Sequence, residues 1–176
     1  GLGSNAAEML TRAGVGHLVL IDFDVVSESN LNRQAFFADQ VGMLKTDALA
    51  ANLQRIRPGV ECTLVSERLT PATLIPAIQG ADVTIEAVDA ADTKATITAA
   101  LMDHLPGMPL VTASGIAGCA SANTIVTERL ADHLYLVGDL ESDVSAGLPL
   151  YATRVMVAAA AQAHMTIRLL LGEREP

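Results

Sequence analysis

The chain has 176 residues with 20 acids against 11 bases, and its formal net charge of −9 argues against nucleic acid or an anionic membrane as a partner. Hydrophobic residues make up 51% and charged residues 18%, which excludes a disordered chain and allows one domain, residues 1–176, with a sizeable core. Aromatics are only 3%, so that core must be built from Ala, Val, Leu and Ile, as suits a buried parallel sheet covered by helices.

The spacing of apolar residues predicts a helix over Ser4–Ala13, with Ala6, Ala7, Leu10 and Ala13 on one face, ended by Gly14-Val15-Gly16. His17–Ile21 (HLVLI) reads as a buried strand and Ser27–Gln34 as a polar turn. A helix is expected from about Met43 to Ile56, before Pro58, then a strand over Glu61–Ser66. Thr70-Pro71 opens a helix, with an N-cap followed by proline, and Gly80 closes it. Val83–Val88 is the next expected strand, ending at Asp89, and Asp92 is expected to cap a helix reaching Leu105. Pro109–Ala113 is another strand. Asn123–Thr127 and His133–Val137 follow with a short connection, hence an antiparallel pair. A polar loop, Gly138–Gly147, leads to a long helix over Tyr151–Leu171. This alternation predicts an α/β, Rossmann-like, mostly parallel sheet flanked by helices, with antiparallel strands late in the chain. Such folds place a strand before the glycine motif, and here the chain opens on that motif at Gly1. The expectation is therefore an N-terminally truncated domain whose first strand is missing.

Several short segments carry candidate chemistry. Glycines in Gly1-Leu2-Gly3-Ser4-Asn5-Ala6 let backbone N–H groups approach a phosphate at a helix N-terminus, although two glycines alone also fit a plain turn. Asp22, in Leu20-Ile21-Asp22-Phe23-Asp24, ends a strand about 20 residues after the glycines, where a nucleotide-binding fold puts an acid on the ribose hydroxyls. A solvated acid at a strand end is the plainer alternative. Ser29-Asn30-Leu31-Asn32-Arg33-Gln34 gathers amides and a guanidinium able to grip phosphate, yet by composition it also reads as a polar surface loop. Lys45 sits in the first turn of a helix, where the dipole disfavours a cation unless an anion faces it. Asp89 ends a strand at the carboxyl edge, where a carboxylate can hold Mg²⁺ against phosphate oxygens or simply cap a helix.

In this order, GVGHLVLIDFD, SNLNRQ, VGMLK and the strand-end VDA resemble the signature run of the ThiF family of ubiquitin-activating-type adenylyltransferases. The late stretch TASGIAG…NTI…GD…RLLLG is similar to the shorter, zinc-free branch, thiamine-biosynthesis ThiF family 2. The resemblance covers essentially the whole chain. It implies ATP-dependent adenylation of the C-terminal glycine of a small ubiquitin-like sulfur-carrier protein ending in Gly-Gly, with Mg²⁺. It further implies a homodimer, with which an apolar final helix (Val155, Met156, Val157, Leu169 and Leu170) is compatible. Gly1 and Gly3 match the second half of the family's glycine loop. Asp22 matches the ribose acid, Asn30 and Arg33 the triphosphate contacts, Lys45 the phosphate lysine and Asp89 the Mg²⁺-associated aspartate. Arg33, Lys45 and Asp89 are the implied catalytic residues, while Ser29, Leu31, Asn32 and Ala90 complete the implied nucleotide site. Ala90 stands where the family continues with Asn.

The two cysteines, Cys62 and Cys119, form no CxxC pair, which excludes a four-thiolate zinc site and fits the zinc-free branch. Both read as packing residues, with Cys119 also a candidate nucleophile, and the methionines, Met43 among them, read as core filler. A reducing cytoplasm is the default, and no segment reads as a signal peptide or membrane span. Two other readings share some of these features. A nicotinamide-dependent oxidoreductase uses the glycines and the ribose acid but leaves SNLNRQ, Lys45 and Asp89 unexplained as a set. An inactive scaffold for a ubiquitin-like partner fits Ala90 and the expected truncation.

Overall fold

A computed structural model describes all residues, Gly1–Pro176. The helices are α1 (Leu2–Ala13), α2 (Lys45–Ile56), α3 (Pro71–Ile78), α4 (Ala91–His104) and α5 (Ala152–Leu170). The strands are β1 (His17–Ile21), β2 (Glu61–Val65), β3 (Thr84–Ile85), β4 (Leu110–Ala113), β5 (Val126–Ala131) and β6 (Leu134–Gly138). β1 and β2 pair in parallel, and a second sheet runs β3-β4-β6-β5. Within it β3, β4 and β6 are mutually parallel and β5 is antiparallel to β6, the late antiparallel pair that the short connection required.

The period-2 alternation of strands sorts the core into layers. Val111 and Ala113 of β4, with Tyr135 and Val137 of β6, pack on Val155, Ala158 and Ala159 of α5. Leu110 points the other way, onto Leu74 and Ile78 of α3 and Ala100 and Leu101 of α4. A third cluster joins Leu18 and Leu20 of β1 to α1 and α2. α1 links two of these clusters, because Leu2 lies in one and Ala6, Ala7 and Leu10 in the other. Ile85 also packs against both, so the two sheets are joined by side chains rather than by backbone hydrogen bonds.

Several expectations from the sequence need correction. The strand expected over Val83–Val88 is only Thr84–Ile85, because the chain turns away from β4 after Glu86 donates its N–H to Val111. α2 begins at Lys45 rather than Met43, since residues 24–26 and 42–45 are tied by main-chain bonds, Val26 N–H to Met43 and Gly42 N–H to Val26. Met43 is exposed and fills no core. β1 is buried on one face only: Leu18 and Leu20 point inward, while His17 and Ile21 are exposed. The α4 N-cap is Ala90, so Asp92 falls in the first turn, where its charge suits the dipole but it caps nothing. The antiparallel strand begins at Val126, because residues 122–124 form a turn in which the Ser121 carbonyl accepts from Thr124. Cys62 is half-buried against the first core cluster, and burial pushes its thiol up; Cys119 is exposed rather than packed.

Candidate active site

The carboxyl ends of β1 and β3 and the N-terminus of α1 meet at one edge of the fold. Gly1 is the α1 N-cap, and a Cβ there would stand 3.1 Å from Val155 Cγ1. A Cβ on Gly3 would stand 3.3 Å from that of Ala87, just beyond β3. At both glycines an added Cβ would be tighter than ordinary van der Waals contact, so a neighbour would have to give by a few tenths of an ångström. A Cβ on Gly1 would also stand 3.5 Å from Arg33 Cγ, and Asp89, Arg33, Lys45 and Asp22 all lie within electrostatic reach of the Gly1 nitrogen. The four charged side chains singled out by the sequence thus all act on one point.

Each is held differently. Asp22 leaves β1 with its N–H on the Val65 carbonyl, and its Oδ1 accepts from the Asp24 N–H at 2.9 Å. Lys45 is the first residue of α2 and is largely buried. Its Nζ lies 2.8 Å from Asp24 Oδ2 and 3.8 Å from Asp22 Oδ2, so two carboxylates offset the unfavourable dipole. Arg33 donates from Nη1 to the Ser29 carbonyl at 3.0 Å and to Asn32 Oδ1 at 2.9 Å. Ser29 and Asn32 accordingly orient the guanidinium. Asn30 spends its Oδ1 on the Ser27 N–H, fixing the turn. Leu31 packs into the core, and Ala90 contributes only its exposed backbone at the α4 cap. The Asp89 carboxylate is exposed and, unlike the other three, is bound by no hydrogen bond or ion pair.

Sequence reasoning missed the residues that hold this edge together. Asn5 of α1 donates to the Gly1 carbonyl at 2.6 Å and the Arg33 carbonyl at 2.8 Å, and Ser4 Oγ accepts from the Ala35 N–H. The arginine turn is thereby bolted to the glycine turn. Arg68 stacks 4.0 Å above the Phe23 ring, beside Asp22. Buried Glu86 gathers Lys94 and Thr112 below Asp89. The only advance signal was a buried-type strand ending in an acid, Ile85-Glu86, where an apolar residue is usual.

No group of three or more His, Cys, Asp or Glu side chains is placed to hold a metal. A single free carboxylate beside a phosphate-binding turn is, however, the donor set Mg²⁺ uses when phosphate oxygens and water supply its other ligands. Asp89 fits that requirement. No helix is long and apolar enough to cross a membrane.

An α/β domain with a glycine turn at a helix N-terminus and an acid at a neighbouring strand end is the arrangement found in nucleotide-binding folds. The ThiF family model matches residues 1–176, and the chain belongs to that family. It is similar to the adenylyltransferase and sulfurtransferase MOCS3 of Bos taurus, 40% identical over 117 residues, which is 66% of this chain and 25% of that protein. The ubiquitin-like modifier-activating enzyme 5 of Oryza sativa subsp. japonica is 51% identical over 70 residues, 40% of this chain and 17% of that one. The chain thus spans about a quarter or less of these relatives' length. Its fold is that of the E. coli tRNA N6-threonylcarbamoyladenosine dehydratase, TcdA, in complex with ATP, at a TM-score of 0.85 and 24% identity over 98% of this chain and 84% of that one.

Proposed function

We propose that this chain uses ATP and Mg²⁺ to adenylate the C-terminal glycine carboxylate of a small ubiquitin-like sulfur carrier ending in Gly-Gly. The observation that carries this is the geometry around the glycine turn: Arg33 packs on Gly1 and is tied to α1 by Asn5, the turn before Asp89 packs on Gly3 through Ala87, and Lys45 lies 3.8 Å from Asp22. Family membership and the matched adenylyltransferases and modifier-activating enzymes support it.

The carrier carboxylate attacks the α-phosphorus in line; a carboxylate O–P bond forms, the α–β bridge breaks and pyrophosphate leaves with its electron pair. No protein nucleophile is needed for this step. The protein positions two anions and stabilises the charge that develops on the phosphoryl oxygens. Asp22 holds the ribose. Arg33, steadied by Ser29 and Asn32, faces the phosphates, and Lys45 exchanges part of its contact with Asp24 for them. Mg²⁺, when bound, neutralises phosphate charge, and Asp89 is the residue that would hold it.

The loop after β6 is anchored for a bridging task. Asp139 Oδ1 accepts from the Glu141 and Ser142 N–H groups, and Gly138 is the only residue type tolerated against the Ser114 carbonyl, where a Cβ would collide. From that base residues 140–149 are mostly exposed, as suits a crossover above an extended carrier tail. Met156, Val157 and Leu170 are the exposed apolar residues of α5 and are assigned here to a homodimer; Val155 and Leu169 of the same helix belong to the core. Thiamine synthesis is the pathway assigned, on the late TASGIAG…RLLLG stretch alone. The cytoplasm is the compartment that goes with it.

The test is ATP–pyrophosphate exchange with a small Gly-Gly carrier. Exchange should require the carrier's free terminal carboxylate, and Arg33→Ala should lower it by ~10²–10³. NADH binding without carrier-dependent exchange would refute the proposal in favour of an oxidoreductase; carrier binding without exchange would refute it in favour of a scaffold.

A further inference from the structure

The Asp89 carboxylate is held by no partner of its own, so its place is set by the backbone that carries it. That backbone is clamped at Glu86. Glu86 donates its N–H to the Val111 carbonyl at 3.0 Å, and its carbonyl accepts from Gln162 Nε2 of α5 at 3.1 Å. Its side chain is fully buried. Oε1 accepts from the Val88 N–H at 2.6 Å; Oε2 accepts from Thr112 Oγ1 at 2.5 Å and pairs with Lys94 Nζ. One residue thus ties β4, α4 and α5 to the turn between β3 and Asp89.

A buried carboxylate is expensive unless every lone pair finds a donor, and here an ammonium, a hydroxyl and an amide are all supplied. The bond to Val88 is the informative one. Val88 N–H has no main-chain acceptor, so Glu86 alone fixes the turn one residue before Asp89. We propose that Glu86, clamped by Lys94 and Thr112, is a positioning residue for adenylation: it sets the path of residues 87–89 so that the Asp89 carboxylate stands beside the glycine turn. The packing of Ala87 against Gly3 links the same turn to α1. This role rests on the function proposed above.

The experiment combines site-resolved amide exchange at Val88 with steady-state ATP–pyrophosphate exchange, on wild type and Glu86→Ala. In a folded Glu86→Ala protein the Val88 amide is expected to lose protection, and kcat to fall about 10–100-fold, the usual effect of removing a partner that orients a metal-site group. KM for ATP should stay within about twofold, because Arg33 and Lys45 are untouched. A purely structural role would lower the melting temperature and leave kcat in place below it. Wild-type kcat in a folded Glu86→Ala protein overturns the proposal, whatever happens at Val88. Should that variant not fold, Thr112→Val, which removes one donor at similar volume, takes its place: a smaller fall in kcat at unchanged KM supports the role and an unchanged kcat overturns it. If the wild type itself shows no exchange chemistry, the adenylation reading fails separately, and Val88 protection alone decides whether Glu86 holds the turn.

Discussion

Asp89→Ala is expected to reduce ATP–pyrophosphate exchange by ~10²–10³ while leaving the fold intact. Both halves follow from the same observation. The Asp89 side chain is exposed and makes no hydrogen bond or ion pair, so removing it leaves no buried group unsatisfied. Surface substitutions of that kind stay within about ±0.5 kcal/mol. An exposed carboxylate with no partner contributes little to folding, and under the proposed function its value lies in the charge it places near the glycine turn. Melting curves and exchange rates measured on the same preparation check the prediction. Unchanged exchange would remove Asp89 from the site; a collapsed fold would show that it has a structural partner in solution.

The largest effect on stability is expected at Arg154. This guanidinium is almost entirely buried and binds the Ala120 and Ser121 carbonyls, Thr124 Oγ1 and Asp139 Oδ2. It therefore joins α5 to the loops after β4 and β6 in a single knot. Arg154→Met would leave the Ala120 carbonyl and Asp139 Oδ2 without a donor, at a cost of about 3–5 kcal/mol. For a chain of this length that is a drop in Tm of roughly 6–20 °C, measurable by calorimetry. A pH dependence accompanies it. Burial would raise the Asp139 pKa, but hydrogen bonds from Ser142, Glu141 and Arg154 outweigh it and hold the carboxyl below its ordinary 3.8. A carboxyl that is more acidic folded than unfolded adds stability above the ordinary value and loses it as pH falls through the depressed one. Tm should therefore decline as pH drops below about 4, and Asp139→Asn should flatten that limb. A wild-type Tm independent of pH over that range would contradict the assignment.

How much of this was legible beforehand depended on whether the information was local. The motif order glycine turn, Asp22, Arg33, Lys45, Asp89 could be read because each residue sits at an element boundary that its neighbours mark: Gly14–Gly16 before β1, the polar Ser27–Gln34 turn, Pro58 after α2. The alternation of elements was readable for the same reason. What failed were places where a partner distant in sequence decides. β3 stops after Ile85 because the chain turns away from β4 once Glu86 has donated to Val111, a turn set by the Glu86 side chain that an apolar run cannot reveal. Asn5 looked like part of a glycine motif and is in fact the bolt between that motif and Arg33. Glu86 stood out only as an acid in an apolar run, and its role could not be read because Lys94 and Thr112 reach it from a helix and a neighbouring strand. Lys45 was read as facing an anion, and the anions present are Asp22 and Asp24. Cys119 and Met43 were assigned to packing by residue type and lie at the surface, since composition says nothing about which face a loop shows.

The most direct measurement compares calorimetric binding of ATP and adenosine in the presence of Mg²⁺, for wild type and for Arg33→Ala/Lys45→Ala. With cations gathered around one phosphate turn, ATP should bind far more tightly than adenosine, and the double variant should lose most of that difference while adenosine binding is unchanged. Equal affinity of the wild type for ATP and adenosine would mean that the converging charges do not hold a triphosphate.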